Sequence, residues 1–273
     1  MSTVFLTAEW QRLVMLNFPI EPRALQRYAP RGTEIDAWEG TTFISLVAFR
    51  FLNTRVRGLA IPFHRDFEEI NLRFYVRSRA PEGWRRGVVF IREVVPRQAI
   101  ASIARWLYNE NYVACPTRST VTDPSLETVG RAEYHWRHDG AWLSIGARFS
   151  GDASLPRKGS QEEFITEHYW GYSAQRDGGT VEYQVEYPQW KVWTASETTL
   201  IGDLTGFCGS ELALVLASPP SSAFVASGSP VIVRKGQRID DRLAIQQPRQ
   251  HVHSIVGAGA RTNKQRNGHP LRR

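Results

Sequence analysis

Polar and apolar residues alternate with a period of two along much of the chain, the spacing of β-strands whose two faces meet different surroundings. Between Phe67 and Arg77, Ile70, Leu72, Phe74 and Val76 fall on one face, while Glu69, Asn71, Arg73, Tyr75 and Arg77 fall on the other. Val181, Tyr183, Val185 and Tyr187 alternate with Glu182, Gln184 and Glu186. Residues 42–51 and 88–91 are nearly unbroken apolar runs, as strands covered on both faces would be. Asp139-Gly140 predicts a hairpin between residues 132–138 and 141–149, and Asp177-Gly178-Gly179 predicts another between 168–176 and 180–187. Gly228-Ser229 predicts a turn between 223–227 and 231–234.

Helical spacing is scarce. After Pro96, the residues Ile100, Ile103, Ala104 and Leu107 form one apolar stripe. Ser160 and Glu163 have capping-box spacing for a short helix before His168, and Pro22 to Tyr28 predicts another. Many strands, two or three short helices and no strand–helix–strand rhythm predict a mainly β (β-rich α+β) fold. Its centre is expected to be an antiparallel barrel-like sheet forming one domain over residues 1–238.

Charge changes this picture only at one end. The 273 residues carry a formal net charge of +7. Residues 234–273 hold ten Lys or Arg and two Asp, a net of +8, which leaves −1 for residues 1–233. Residues 239–273 have no aromatic side chain and little apolar surface, so a disordered basic tail is expected there. Such a tail suits weak, sequence-blind contact with nucleic acid, a function class different from small-molecule binding. No stretch reaches the ~20 apolar residues that span a bilayer, and the N-terminus has no secretory pattern, so a soluble cytoplasmic protein is expected.

Several motifs resemble those of a known family. Glu9-Trp10-x-x-Leu13, Pro30-x-Gly32-x-x-Ile35-Asp36 and Trp38-x-Gly40 come first. Phe67-x-Glu69-x-Asn71-x-Arg73-x-Tyr75-Val76 and Phe164-x-Thr166-Glu167 follow. Tyr183-x-Val185-x-Tyr187-Pro188-x-Trp190 and Ala226-x-Gly228-x-x-Val231 complete the series. In this order they resemble the YqjF-like family of uncharacterised bacterial proteins, itself similar in fold to acetoacetate decarboxylase. That resemblance implies a β-rich domain with an internal pocket, to which Glu69 and the pair Arg92-Glu93 would contribute. The decarboxylases form a Schiff base on a lysine after this Arg-Glu segment; here Arg97 or Gln98 stands in its place, and neither is an amine nucleophile. The resemblance therefore implies a pocket without imine chemistry by that route.

The candidate site follows from both readings. Glu69, Asn71, Arg73 and Tyr75 share a strand face, which either looks into a pocket or is simply the solvated side of a half-buried sheet. In a pocket, Arg73 would receive a carboxylate and Glu69 would act as acid or base. Glu93 is a second candidate acid or base, and Arg92 a ligand contact; alternation sends these two to opposite faces. His168, Trp170 and Tyr172 share a face and offer shape with polar tips, or plain aromatic packing. Tyr108, Asn109 and Tyr112 are further candidates of the same kind. The expected ligand is a small carbonyl or carboxylate compound, and any catalysis a non-imine lyase or hydrolase reaction. No cofactor motif and no metal-ligand spacing appear, His135 and His138 being three apart on a strand. Gly206-Phe207-Cys208-Gly209-Ser210 echoes a nucleophile elbow and makes Cys208 a candidate for a cysteine hydrolase.

Overall fold

The structure, a computed structural model, describes residues 2–60, 65–96 and 112–239. The predicted helix after Pro96, the candidates Tyr108 and Asn109, and the segment from 240 onward lie outside the described residues. The first half of the chain contributes β1 (Val4–Pro19), β2 (Glu34–Ile35), β3 (Phe43–Val56), β4 (Leu59–Ala60), β5 (Phe67–Ala80) and β6 (Gly83–Val95). It is followed by β7 (Tyr112–Ala114), β8 (Thr117–Thr122), β9 (Gly130–His138) and β10 (Ala141–Phe149). The last third adds β11 (Trp170–Ala174), β12 (Thr180–Glu186), β13 (Val192–Thr194), β14 (Glu197–Ile201), β15 (Ser222–Arg234) and β16 (Gln237–Arg238). The helices among the described residues are short: α1 (Pro22–Leu25), α2 (Gln161–Thr166), α3 (Thr205–Cys208) and α4 (Ser210–Leu216).

The large sheet closes on itself. Strands run in the order β15-β1-β3-β5-β6-β11-β12, and β12 pairs back to β15. Neighbours within this ring are antiparallel except β6 and β11. A second sheet, β14-β10-β9-β8, packs against the outside of the ring. Between them, Tyr134, Trp136, Ile145 and Phe149 meet Val14, Leu46, Leu72 and Phe74 in one fully buried core. The inner face of the ring forms a separate cluster that includes Leu13, Val47, Phe49, Phe51, Phe67 and Val88. The apolar face of β5 thus serves the inter-sheet core, and its polar face turns inward.

Three β-bulges set which side chains point inward. On β1 the pairing with β3 slips between Gln11 and Val14, where Arg12 has φ 52°. Inward residues are Leu6, Ala8 and Trp10 before the slip, and Leu13 and Met15 after it. On β3 the register slips around Asn53, φ 55°, changing the inward series from Val47, Phe49 and Phe51 to Thr54 and Val56. On β6 two residues face one of β5, since Leu72 pairs with Arg92 but Arg73 with Phe90, leaving Ile91 extra. An extra residue exchanges the two faces of a strand and bends it, which is how an open sheet is turned towards closure. The Arg12 bulge is held in place: its carbonyl accepts from Tyr134 Oη at 2.7 Å, and its guanidinium pairs with Asp123 at 2.6 Å.

The hairpin at Asp139-Gly140 and the tight turn at Asp177–Gly179 form as the sequence predicts. So does the Ser160 cap, whose Oγ accepts from Glu163 N at 3.3 Å. Gly228-Ser229 does not turn the chain, because β15 runs straight through it. Gly228, φ 78°, lies opposite the Arg12 bulge, and a Cβ there would stand 1.9 Å from the Trp10 carbonyl oxygen. Glycine is needed for close backbone approach, not for a reversal.

Candidate functional site

Inside the ring is a cavity of about 140 Å³. β5 supplies Glu69, Asn71 and Arg73 to one wall, each two residues from the next and so about 7 Å apart along the strand. β6 adds Val88, Phe90 and Glu93, and β7 adds Tyr112. His168, just before β11, completes the polar group. Most of the remaining lining is aromatic, with Phe5, Trp10, Phe49, Phe51, Phe67, Tyr183, Tyr187 and Trp190.

The polar group is buried and incompletely paired. Asn71 Nδ2 donates to Glu69 Oε1 at 3.0 Å, and Tyr112 Oη donates to Glu69 Oε2 at 3.5 Å. Burial pushes the Glu69 carboxyl up to about 7, against the opposing pull of Asn71, Tyr112 and the Arg73 charge. Arg73 is 8% exposed; its one hydrogen bond is a 3.9 Å contact to Met15 Sδ, and its Nε has no acceptor among the described residues. Asn71 Oδ1 likewise lacks a donor. The Arg73 charge also reaches His168 and Tyr187.

His168 packs against Tyr75 at 4.6 Å and edge-on to Phe164 at 5.1 Å. Its Nε2 lies 3.7 Å from Asp36 Oδ2, longer than a hydrogen bond. Burial brings the imidazole down to about 4 despite Asp36, so it is neutral at pH 7. Burial works against the Asp36 carboxylate too, but the His168 ring and Arg86, whose Nε is 2.7 Å away, outweigh it and hold Asp36 at about 2. The arrangement offers a fixed cation, a carboxyl that titrates near neutrality and a neutral imidazole within one largely apolar enclosure.

Sequence-predicted residues divide accordingly. Glu69, Asn71, Arg73, Glu93, His168 and Tyr112 line the cavity together. Arg92 does not: the Ile91 bulge turns it outward, where its Nε donates to the Phe207 carbonyl at 3.0 Å. Tyr172 also faces outward into the inter-sheet core, because the inner side of β11 belongs to Gly171, against which the Tyr183 ring packs. Tyr75 keeps the inward face but is sealed beyond the lining, its hydroxyl 2.7 Å from Ser45 Oγ. Cys208 lacks the elbow context, since it is the last residue of α3 rather than the turn between a strand and a helix. Its buried thiol faces the Leu204 carbonyl at 3.3 Å, and burial pushes it up to about 11, the reverse of activation. The aromatic wall and Asp36 were the missed parts; Trp10, Tyr187, Trp190 and Asp36 stand within the motifs noted above, yet a motif does not say which face looks inward. Among the described residues no group of three or more His, Cys, Asp or Glu gathers as a metal site, and no helix is long and apolar enough to cross a membrane.

A closed mixed ring, an outer antiparallel sheet and an internal cavity define an acetoacetate decarboxylase-like fold. An acetoacetate decarboxylase from Legionella pneumophila matches with a TM-score of 0.63 at 10% identity, over 86% of this chain and 87% of that one. The enduracididine biosynthesis enzyme MppR complexed with pyruvate matches with a TM-score of 0.61 at 13% identity, over 89% and 93%. At these identities the likeness is one of fold alone. Residues 7–230 match the family DUF2071, described as an uncharacterised conserved protein, and the chain belongs to that family. The uncharacterised protein YqjF of Bacillus subtilis (strain 168) is 24% identical over 210 residues, 74% of this chain and 81% of the relative.

Proposed function

We propose that this protein binds a small carboxylate or carbonyl compound in the ring cavity, with the carboxylate on Arg73. One observation carries the reading: a guanidinium 8% exposed, in an apolar enclosure, with no carboxylate at ion-pair distance among the described residues. A buried charge is costly until it is paired, so an anionic ligand gains what the protein itself does not supply. Glu69, at about 7, suits proton transfer near neutral pH, and Asn71 positions it. A structural neighbour is described as complexed with pyruvate, a ligand of this class. Any turnover is of a non-imine kind, a lyase or hydrolase reaction run on proton transfer. The chain has four lysines; Lys158, Lys191 and Lys235 are not among the lining residues, and Lys264 is outside the described residues.

Calorimetric titration with pyruvate tests the reading. Arg73→Gln is expected to weaken binding ten- to a hundredfold, about the worth of a charge-assisted hydrogen bond. Unchanged affinity in that variant sinks it. A covalent adduct with pyruvate after borohydride reduction would overturn the non-imine assignment.

A further inference from the structure

Resting on that carboxylate reading, we infer that the acid taken by this cavity carries an aromatic ring. The polar groups occupy one end of the β5 wall, at Arg73, Asn71 and Glu69, and the next inward residue towards the start of β5 is Phe67. From there the lining is a continuous chain of rings. Phe67 stacks on Phe51 at 4.7 Å and 10°, and Phe51 meets Trp10 near-perpendicular at 5.6 Å. Trp10 meets Trp190 edge-on at 6.0 Å, and Trp190 stacks on Tyr187 at 4.3 Å. Ring pairs favour offset-stacked or edge-to-face geometry with centroids 4.5–7 Å apart. A flat aromatic guest extends such a chain with geometries its members already use. About 140 Å³ is on the scale of the ~150 Å³ apolar cavity that admits one benzene ring, which limits the guest to a single ring. Acetate or pyruvate alone would engage Arg73 and leave the aromatic end unfilled.

A box of aromatic rings also suits an organic cation. Arg73 decides between the two. Its fixed positive charge has no carboxylate at ion-pair distance among the described residues and attracts an anion; of the two acids on the wall, Glu69 at about 7 is only partly ionised at neutral pH, and Glu93 is the other.

The test uses the full-length protein at pH 7 and four probes that differ at one end only: 3-phenylpropionate, propionate, 3-phenylpropan-1-ol and 3-phenylpropan-1-amine. Binding is read by calorimetry and by tryptophan fluorescence. 3-Phenylpropionate is expected to bind about a hundredfold more tightly than propionate, the factor expected for withdrawing one ring from water. It is also expected to bind at least tenfold more tightly than the alcohol or the amine. Equal affinity for propionate and 3-phenylpropionate overturns the aromatic class and leaves the Arg73 reading standing. Equal affinity for the acid and the alcohol overturns the carboxylate reading and the aromatic acid with it. Tightest binding of the amine overturns both in favour of a cation box. If none of the four binds while pyruvate does, the ring inference alone falls. Phe51→Leu gives a second measure at the aromatic end: 3-phenylpropionate weakens about tenfold and propionate is unaffected, and the absence of that split also counts against the ring.

Discussion

Replacing Glu69 by glutamine should stabilise the protein, and by an amount that grows with pH. Glutamine reproduces the neutral carboxyl in shape: its Oε1 still accepts from Asn71, and Tyr112 can turn its hydroxyl to accept from the new amide. In the wild type, burial raises the carboxyl from 4.5 to about 7. An acid whose pKa is raised by folding contributes no penalty below its unfolded value. It costs stability as pH rises from there, because the unfolded chain releases the proton that the folded chain retains, and the cost levels off above the folded value. At about 1.36 kcal/mol per pKa unit, the wild type loses less than about 1 kcal/mol at pH 5 and roughly 3 kcal/mol at pH 8. The variant loses neither, so its advantage should widen by roughly 2–3 kcal/mol between the two pH values. For a domain of this size that is a melting-temperature gap wider by roughly 5–10 °C at pH 8 than at pH 5. Titration of Asp36 and His168 is common to both proteins and largely cancels in the difference. Thermal melts or urea unfolding of the pair at both pH values read it directly. A gap that is constant with pH, or that opens towards acid, would refute the picture of Glu69 as a buried carboxyl held neutral near pH 7.

Other outcomes follow from the same geometry. Gly228→Ala puts a Cβ 1.9 Å from the Trp10 carbonyl oxygen at φ 78°, so it should part β15 from β1 and cost more than about 3 kcal/mol in urea unfolding. Asp36→Asn removes a carboxylate lowered from 3.8 to about 2; it should cost about 2 kcal/mol near pH 7, and the loss should shrink on acidification from pH 4 towards pH 2, as measured by urea titration at several pH values. Ending the chain at Ile239 should leave 3-phenylpropionate affinity unchanged and abolish any salt-sensitive retention on a DNA column; ligand binding lost with the tail would move the site off the ring.

Strand alternation was sufficient to place Glu69, Asn71 and Arg73 side by side, because β5 keeps a strict period of two through that stretch. It was not sufficient to say what they face. A polar face next to an apolar one reads the same over water as over a cavity, and here the ring closes over it. The capping box at Ser160 and the Asp139-Gly140 hairpin were legible because local hydrogen bonding and positive φ decide them. Arg92 and Glu93 were legible as opposites but not as outward and inward, since that choice depends on Ile91 being extra in a pairing between distant segments. Gly228 misled for a related reason: a glycine demanded by the neighbouring strand looks, in one dimension, like a glycine demanded by a turn. Cys208 carried a local motif whose meaning depends on sitting between a strand and a helix, and it sits at the end of a helix instead.

The bulge at Ile91 also decides which of two opposite charges the cavity receives. If Ile91 were drawn into regular pairing opposite Leu72, the strand beyond it would slip by one position, bringing Arg92 opposite Asn71 and into the ring and sending Glu93 out. The cavity wall would exchange an acid for a base and become doubly cationic beside Arg73, with no residue changed. Deleting Ile91 has no such effect, because the pairs Phe90–Arg73 and Arg92–Leu72 then follow one another directly and both faces stay as they are. The sign of the cavity is thus held by one extra residue in the strand rather than by the composition of its wall.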